Sequence, residues 1–305
     1  MSEFSSIADR ATAAPFTAAE FHSAALDAVE GPGRSIAVFD CVGTLWSGDA
    51  GSGFMRWTIA KGLLSPEAIA WLDERYQAYL AGKNDELSIC GQMVQVYRGL
   101  TEAVMRAAAA EFFATEIEHR IFPELRDLIA QMRSRGVEIW AVSSTNDWVI
   151  EEGVSRFNIA ADRVLAARVA IENGIVTDRL LDVPTDEGKA ASLARAGIAA
   201  PHAVFGNSIH DAAMLALARC ACTPESDCHS AAFDPAQRGS NAKESAFGSG
   251  AFPVNPTPAL LDLAAARRWP VYYPTSVAPV SGFAPEAVGG ENIPAAGPSA
   301  GEPRG

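Results

Sequence analysis

The run Ser35 to Trp46, SIAVFDCVGTLW, ends an apolar stretch on Asp40 and breaks at once into Gly43-Thr44. An apolar run that stops on a carboxylate reads as a buried strand. Its last side chain then sits at the C-terminal rim of a sheet, where open α/β folds bind their ligands. Three further pieces follow in order: Ser143 after VEIWAVSS, Lys189 at the head of GKAASLARAGI, and Asn207 with Asp211 after HAVFGNS. Such a set would suit a small anionic group if positive charge is supplied locally, by a metal or by the lysine. Singly, each piece has a plainer reading: Asp40 as a turn or helix-cap aspartate, Lys189 as a solvated helix-start lysine, Ser143 as a post-strand serine. Ser144 stands beside Ser143 as a rival for its role.

The elements that must position these groups are legible from apolar periodicity. Residues 17–30 open with the capping-box pattern Thr17-x-x-Glu20 and keep helical spacing, and Gly31-Pro32-Gly33 ends that helix. From about Ser52 to Arg135 the pattern is helical almost throughout, with Ser65 and Pro66 as the cap and first turn of one segment. Pro123 opens another helix, for which Gly136 is the expected C-terminal stop. Asn173-Gly174 between two β-rich runs predicts a hairpin. The helices GKAASLARAGI and DAAMLALAR flank the short strand HAVFGNS. Strands alternating with helices of this length imply βαβ units, hence an α/β fold with a Rossmann-like parallel sheet and helices on both faces. Loops at one rim of such a sheet can unite residues far apart in sequence.

At 305 residues and 49% apolar, the chain can bury a real core as one large domain or two modest ones. No apolar run is long enough for a membrane span, and the first residues show no secretory signal, so the expectation is a cytoplasmic protein without a membrane partner. A formal net charge of −13, with no basic run, argues against nucleic acid. Five cysteines, an odd count, predict reduced thiols. Cys220, Cys222, Cys228 and His229 cluster, but their spacing is not a common zinc frame and their surroundings read as loop.

The ordered set Asp40, Ser143, Lys189 and Asn207/Asp211 resembles the haloacid dehalogenase superfamily, over about Arg34 to Pro274. The helical block resembles the cap of its phosphoserine-phosphatase-like branch. The resemblance implies a hydrolase core at 34–51 and 120–274 and an all-helical cap at 52–119; residues 220–250, small, polar and charged with little apolar periodicity, read as a surface insertion. An N-terminal helix and lead-in (1–33) and a disordered tail (275–305) would complete the chain. It further implies a magnesium-dependent phosphatase acting on a small phosphorylated metabolite, with Asp40 as nucleophile forming an aspartyl-phosphate. Magnesium would be held by Asp40, the Val42 backbone carbonyl, Asn207 and Asp211. Ser143 and Lys189 would hold the phosphoryl oxygens, with Thr44, Ser144 and Asp49 at the substrate. Asp49 stands where phosphoserine phosphatases carry an acidic residue that reads the substrate amine; a solvated turn aspartate is the plain alternative. Arg56 and Arg98 are candidates for reading a substrate carboxylate, and His210, Trp46 and Trp148 read as surface or packing residues.

Two departures bear on activity. Position 42 is valine where these phosphatases have an aspartate that protonates the leaving alcohol and then activates water, so reduced turnover is expected. Asn207 replaces a more usual aspartate, which removes one anionic ligand. A dehalogenase or phosphonate-cleaving hydrolase of the same fold, neither of which needs that acid, is one alternative. A non-catalytic phosphate-binding or interaction protein is another.

Overall fold

The computed structural model describes residues 15–219 and 250–277. The expected surface insertion, the cysteine–histidine cluster, the beginning of the lead-in and nearly all of the expected tail lie outside the described residues. Helix α1 (Ala18–Ala28) opens on the predicted capping box: the Thr17 hydroxyl accepts from Glu20 N, and the Glu20 carboxylate accepts from Thr17 N. Strand β1 (Ile36–Asp40) follows and is buried along its whole length, as a central parallel strand must be.

Four helices then intervene: α2 (Ala50–Ala60), α3 (Pro66–Leu80), α4 (Glu86–Gln95) and α5 (Glu102–Phe112). Each begins on a side chain that satisfies free backbone N–H groups, from Asp49, Ser65, Asp85 and Thr101 in turn. The chain re-enters the core through α6 (Pro123–Ser134) and β2 (Glu138–Asn146). Gly136 lies just past the end of α6 with φ +78°, the left-handed stop that the sequence predicts. Next come α7 (Asp147–Ser155), β3 (Val164–Glu172) and β4 (Ile175–Asp182), with Asn173 and Gly174 both at positive φ in the hairpin turn. Helix α8 (Glu187–Arg195), β5 (Ala203–Gly206), α9 (Ala212–Leu215), β6 (Ala251–Pro253) and α10 (Pro258–Arg267) complete the fold. Helix α9 is shorter than DAAMLALAR predicts: a 3-10 turn over Ile209–Asp211 precedes it, and it ends at Leu215.

The sheet order is β4-β3-β2-β1-β5-β6, parallel except for the antiparallel edge strand β4. Side chains of β1 alternate between two cores. Ala37 and Phe39 pack with residues of α1, α6 and α7, whereas Ile36 and Val38 pack with residues of α8, α9 and α10. Phe39 stacks on Phe205 at 4.1 Å between ring centroids, and Phe205 on Phe252 at 5.1 Å, so aromatic faces tie β1, β5 and β6 into one rigid unit.

The connection from α4 to α5 is fixed to the hairpin by backbone pairing. Gly99 N donates to Val176 O (2.8 Å), Val176 N to Leu100 O (2.9 Å) and Glu102 N to Gly174 O (2.9 Å).

Candidate active site

Strand register brings the chemistry-bearing residues together. Asp40 lies opposite Val142 on β2, and Phe39 opposite Phe205 on β5, so the end of β1, the Gly206-Asn207 exit from β5 and Ser143 meet at one level of three adjacent strands; Ser143 lies within β2, which continues to Asn146, rather than after it. Lys189 reaches in from the first turn of α8: its Nζ donates to Asp40 Oδ1 (2.7 Å) and to Asp211 Oδ1 (2.5 Å). The other Asp40 oxygen accepts from the Thr44 hydroxyl (2.8 Å), and Asp211 Oδ2 accepts from the amides of Asn207 (2.8 Å) and Ser208 (2.9 Å). Asp40, Lys189 and Asp211 are 4%, 2% and 0% exposed, which makes this a buried ion triad.

Glycines make the approach possible. Gly43 has φ +83°, and a Cβ there would stand 1.9 Å from Asn207 Nδ2, so the Asn207 amide takes the room a side chain would fill. At Gly206 a Cβ would lie 2.7 Å from Asp211 Cβ. The loop after Asp40 is closed by Gly43 N donating to Trp46 O (2.8 Å) and anchored by Trp46, buried edge-on against Phe113 at 5.2 Å. Trp46 and Trp148 are therefore packing residues, as expected.

Burial, reinforced by the Asp211 carboxylate, raises the Asp40 carboxyl above the ordinary carboxylate range, against the pull of Lys189 and Thr44. For Lys189, burial alone would disfavour the charge, but Asp211 and Asp40 outweigh it and hold the ammonium protonated. Two carboxylates thus share one ammonium out of water, and the triad is short of one positive charge. A proton on Asp40 or a further cation would offset that deficit.

The donor set fits a hard metal ion. Among the described residues no three His, Cys, Asp or Glu side chains are grouped to hold one, so a cation here must also draw on neutral oxygens. The Val42 carbonyl and the Asn207 amide, on the two loops that meet at Gly43, are such oxygens. Each carboxylate oxygen of Asp40 also keeps a lone pair beyond its present hydrogen bond.

The remaining predicted residues are distributed as follows. Ser143 is 1% exposed, and its Oγ accepts from Thr145 N (3.2 Å). Val42 is half-buried against the core, and its side chain brings no acid to the rim. Thr44, expected at the substrate, is fully buried with its hydroxyl committed to Asp40. Ser144 and Asp49 line a cavity of about 300 Å³ with Thr145, Tyr76, Tyr79 and Glu86. Asp49 also caps α2, Oδ1 accepting from Gly51 N (2.9 Å) and Ser52 N (3.1 Å). Neither Arg56 nor Arg98 is among the cavity's lining residues, and Arg98 pairs instead with Asp178 at 3.8 Å. His210 Nδ1 lies 2.7 Å from Asp186 Oδ1, a pairing the sequence reading missed because the two sit 24 positions apart on different loops. A larger hollow of about 420 Å³ borders Ser35, at the opposite end of β1 from Asp40.

Comparison with known proteins accords with this arrangement. A family model described as haloacid dehalogenase-like hydrolase matches residues 37–216. No curated protein sequence matches the chain. Among solved structures, a Bordetella pertussis Tohama I protein of unknown function superposes with a TM-score of 0.60 at 19% identity, covering 78% of this chain and 98% of that one. An Anaerococcus prevotii protein, conserved and functionally unknown, gives 0.52 at 12% identity over 79% and 85% of the two chains. A HAD family hydrolase from Salmonella enterica serovar Typhi gives 0.50 at 16% identity over 79% and 68%. At these identities the superpositions establish the fold.

Proposed function

The chain belongs to the haloacid dehalogenase-like hydrolases, and on that premise we propose that it hydrolyses a small phosphomonoester through an aspartyl-phosphate on Asp40. The observation that carries the reading is the buried triad: a carboxylate at a strand end, fixed at both oxygens by Lys189 and Thr44, beside a deficit of positive charge. A carboxylate so held is oriented for attack on phosphorus. As the new Asp40 O–P bond forms, the P–O bond to the leaving alcohol breaks and the alkoxide takes a proton from water. A second water then attacks phosphorus, the Asp40 O–P bond breaks with its electron pair returning to the carboxylate, and inorganic phosphate leaves. Ser143 and Lys189 hold the phosphoryl oxygens, and Asp211 keeps Lys189 charged and in place. Magnesium, held by Asp40, the Val42 carbonyl, Asn207 and Asp211, would offset charge on the phosphoryl group.

Val42 can neither protonate the leaving oxygen nor activate water, so both steps depend on solvent and turnover is slow. Helices α2 to α5 act as the cap over the rim and carry one wall of the cavity. Release of p-nitrophenol from p-nitrophenyl phosphate, dependent on magnesium and lost in Asp40→Asn, tests the reading. Release of halide from a haloacid without release of phosphate would replace it with a dehalogenase.

A further inference from the structure

We propose that the cavity beside Ser143 selects phosphate esters of amino alcohols, substrates whose leaving group carries a positively charged ammonium and no carboxylate. This inference rests on the phosphatase reading and names its substrate class. What the cavity contains and what it lacks carry the argument. Among the described residues its walls hold two carboxylates, Asp49 and Glu86, and three phenol rings, Tyr76, Tyr79 and Tyr97, and no arginine, lysine or histidine. Both acids are held in place by donors. Asp49 Oδ1 takes two backbone amides of α2, and Glu86 Oε2 accepts from the Tyr79 hydroxyl at 2.5 Å. Tyr76 and Tyr79 lie 6.2 Å apart between centroids with their planes tilted by 40°.

An ammonium is attracted both to fixed carboxylates and to the negative faces of aromatic rings, and such rings also take quaternary ammonium groups. A carboxylate in the same space would meet two like charges and, among the described residues, no counter-ion. Ser144 and Thr145, which directly follow Ser143 on β2, are among the cavity's lining residues. The cavity's size, at the small end for ligand sites, suits a chain of a few carbons with an ammonium head.

The test is a panel measured with magnesium: p-nitrophenyl phosphate, phosphoethanolamine, phosphocholine, phosphoserine and glycerol phosphate. The expected result is kcat/KM for phosphoethanolamine or phosphocholine at least about tenfold above phosphoserine and glycerol phosphate. Glu86→Gln should shrink that ratio. Hydrolysis of p-nitrophenyl phosphate with phosphoserine or glycerol phosphate equal to or better than the amino-alcohol esters would overturn the substrate assignment while leaving the phosphatase reading intact. Calorimetric titration of Asp40→Asn protein with phosphoethanolamine and phosphoserine gives an answer independent of turnover. Preferential binding of phosphoethanolamine supports the cavity's role even if no ester is hydrolysed, and equal binding or none overturns it.

Discussion

At the scale of single residues, the site is an electrostatic problem solved by pairing. Removing Lys189 would leave Asp40 and Asp211 buried without their shared counter-ion, and breaking a buried pair from one side costs about 3–5 kcal/mol. Lys189→Met should therefore lower the free energy of unfolding by that order, read from denaturant titration, and a loss below about 1 kcal/mol would mean that the carboxylates find water instead. Asn207→Asp adds the missing anion to the proposed metal set, and calorimetry should show tighter magnesium binding than in the native protein. Val42→Asp restores a carboxylate two residues beyond the nucleophile. It should raise turnover of an alkyl phosphate by about 10²–10⁴. Equal rates in the two forms would place Val42 outside the acid–base position.

At the scale of elements, β1 and the turn after it were legible in the sequence because an apolar run, a terminal carboxylate and Gly43-Thr44 each carry a physical reason for being there. The capping box of α1 and the Asn173-Gly174 hairpin were legible for the same reason. The 3-10 start of the segment after β5 was not. Asp211 Oδ2 accepts the amides of Asn207 and Ser208, and this local bonding winds Ile209–Asp211, just ahead of α9, more tightly, although DAAMLALAR itself has good helix formers throughout. Of the cavity's walls, Asp49 and Ser144 were legible but Tyr76, Tyr79 and Glu86 were not, since nothing in the sequence shows where α3 and the start of α4 stand relative to the sheet.

The junction between β2 and α7 gives a pH prediction. Burial raises the Asp147 carboxyl to about 6, against the attraction of Arg168 at 2.9 Å. The folded state therefore binds this proton more tightly than the unfolded chain does. Its contribution to stability is present at low pH and is lost as pH rises through about 6. Wild-type protein should lose about 1 kcal/mol more than Asp147→Asn between pH 5 and pH 7, measured by denaturant unfolding at each pH. Parallel losses in the two proteins would show that Asp147 keeps an ordinary pKa.

At the scale of the molecule, a six-stranded sheet sets the rim, and the four-helix block is pinned to the β3–β4 hairpin through the connection from α4 to α5. Alternation of strands and helices made the parallel sheet readable. The antiparallel placement of β4 follows from the tight Asn173-Gly174 turn, which can only reverse the chain. The backbone pairing between helices and hairpin was not readable, because it joins residues some 75 positions apart through groups that every sequence possesses. Among the described residues no helix is long and apolar enough to cross a membrane.

The central claim is that Asp40 becomes covalently phosphorylated, and mass mapping of protein acid-quenched after brief incubation with p-nitrophenyl phosphate and magnesium tests it most directly. Because Val42 slows hydrolysis of the intermediate, the native protein should carry one phosphoryl group on the peptide containing Asp40, and Val42→Asp protein should carry less at the same time point. Phosphate release with no adduct on Asp40, undiminished in Asp40→Asn, would contradict the account.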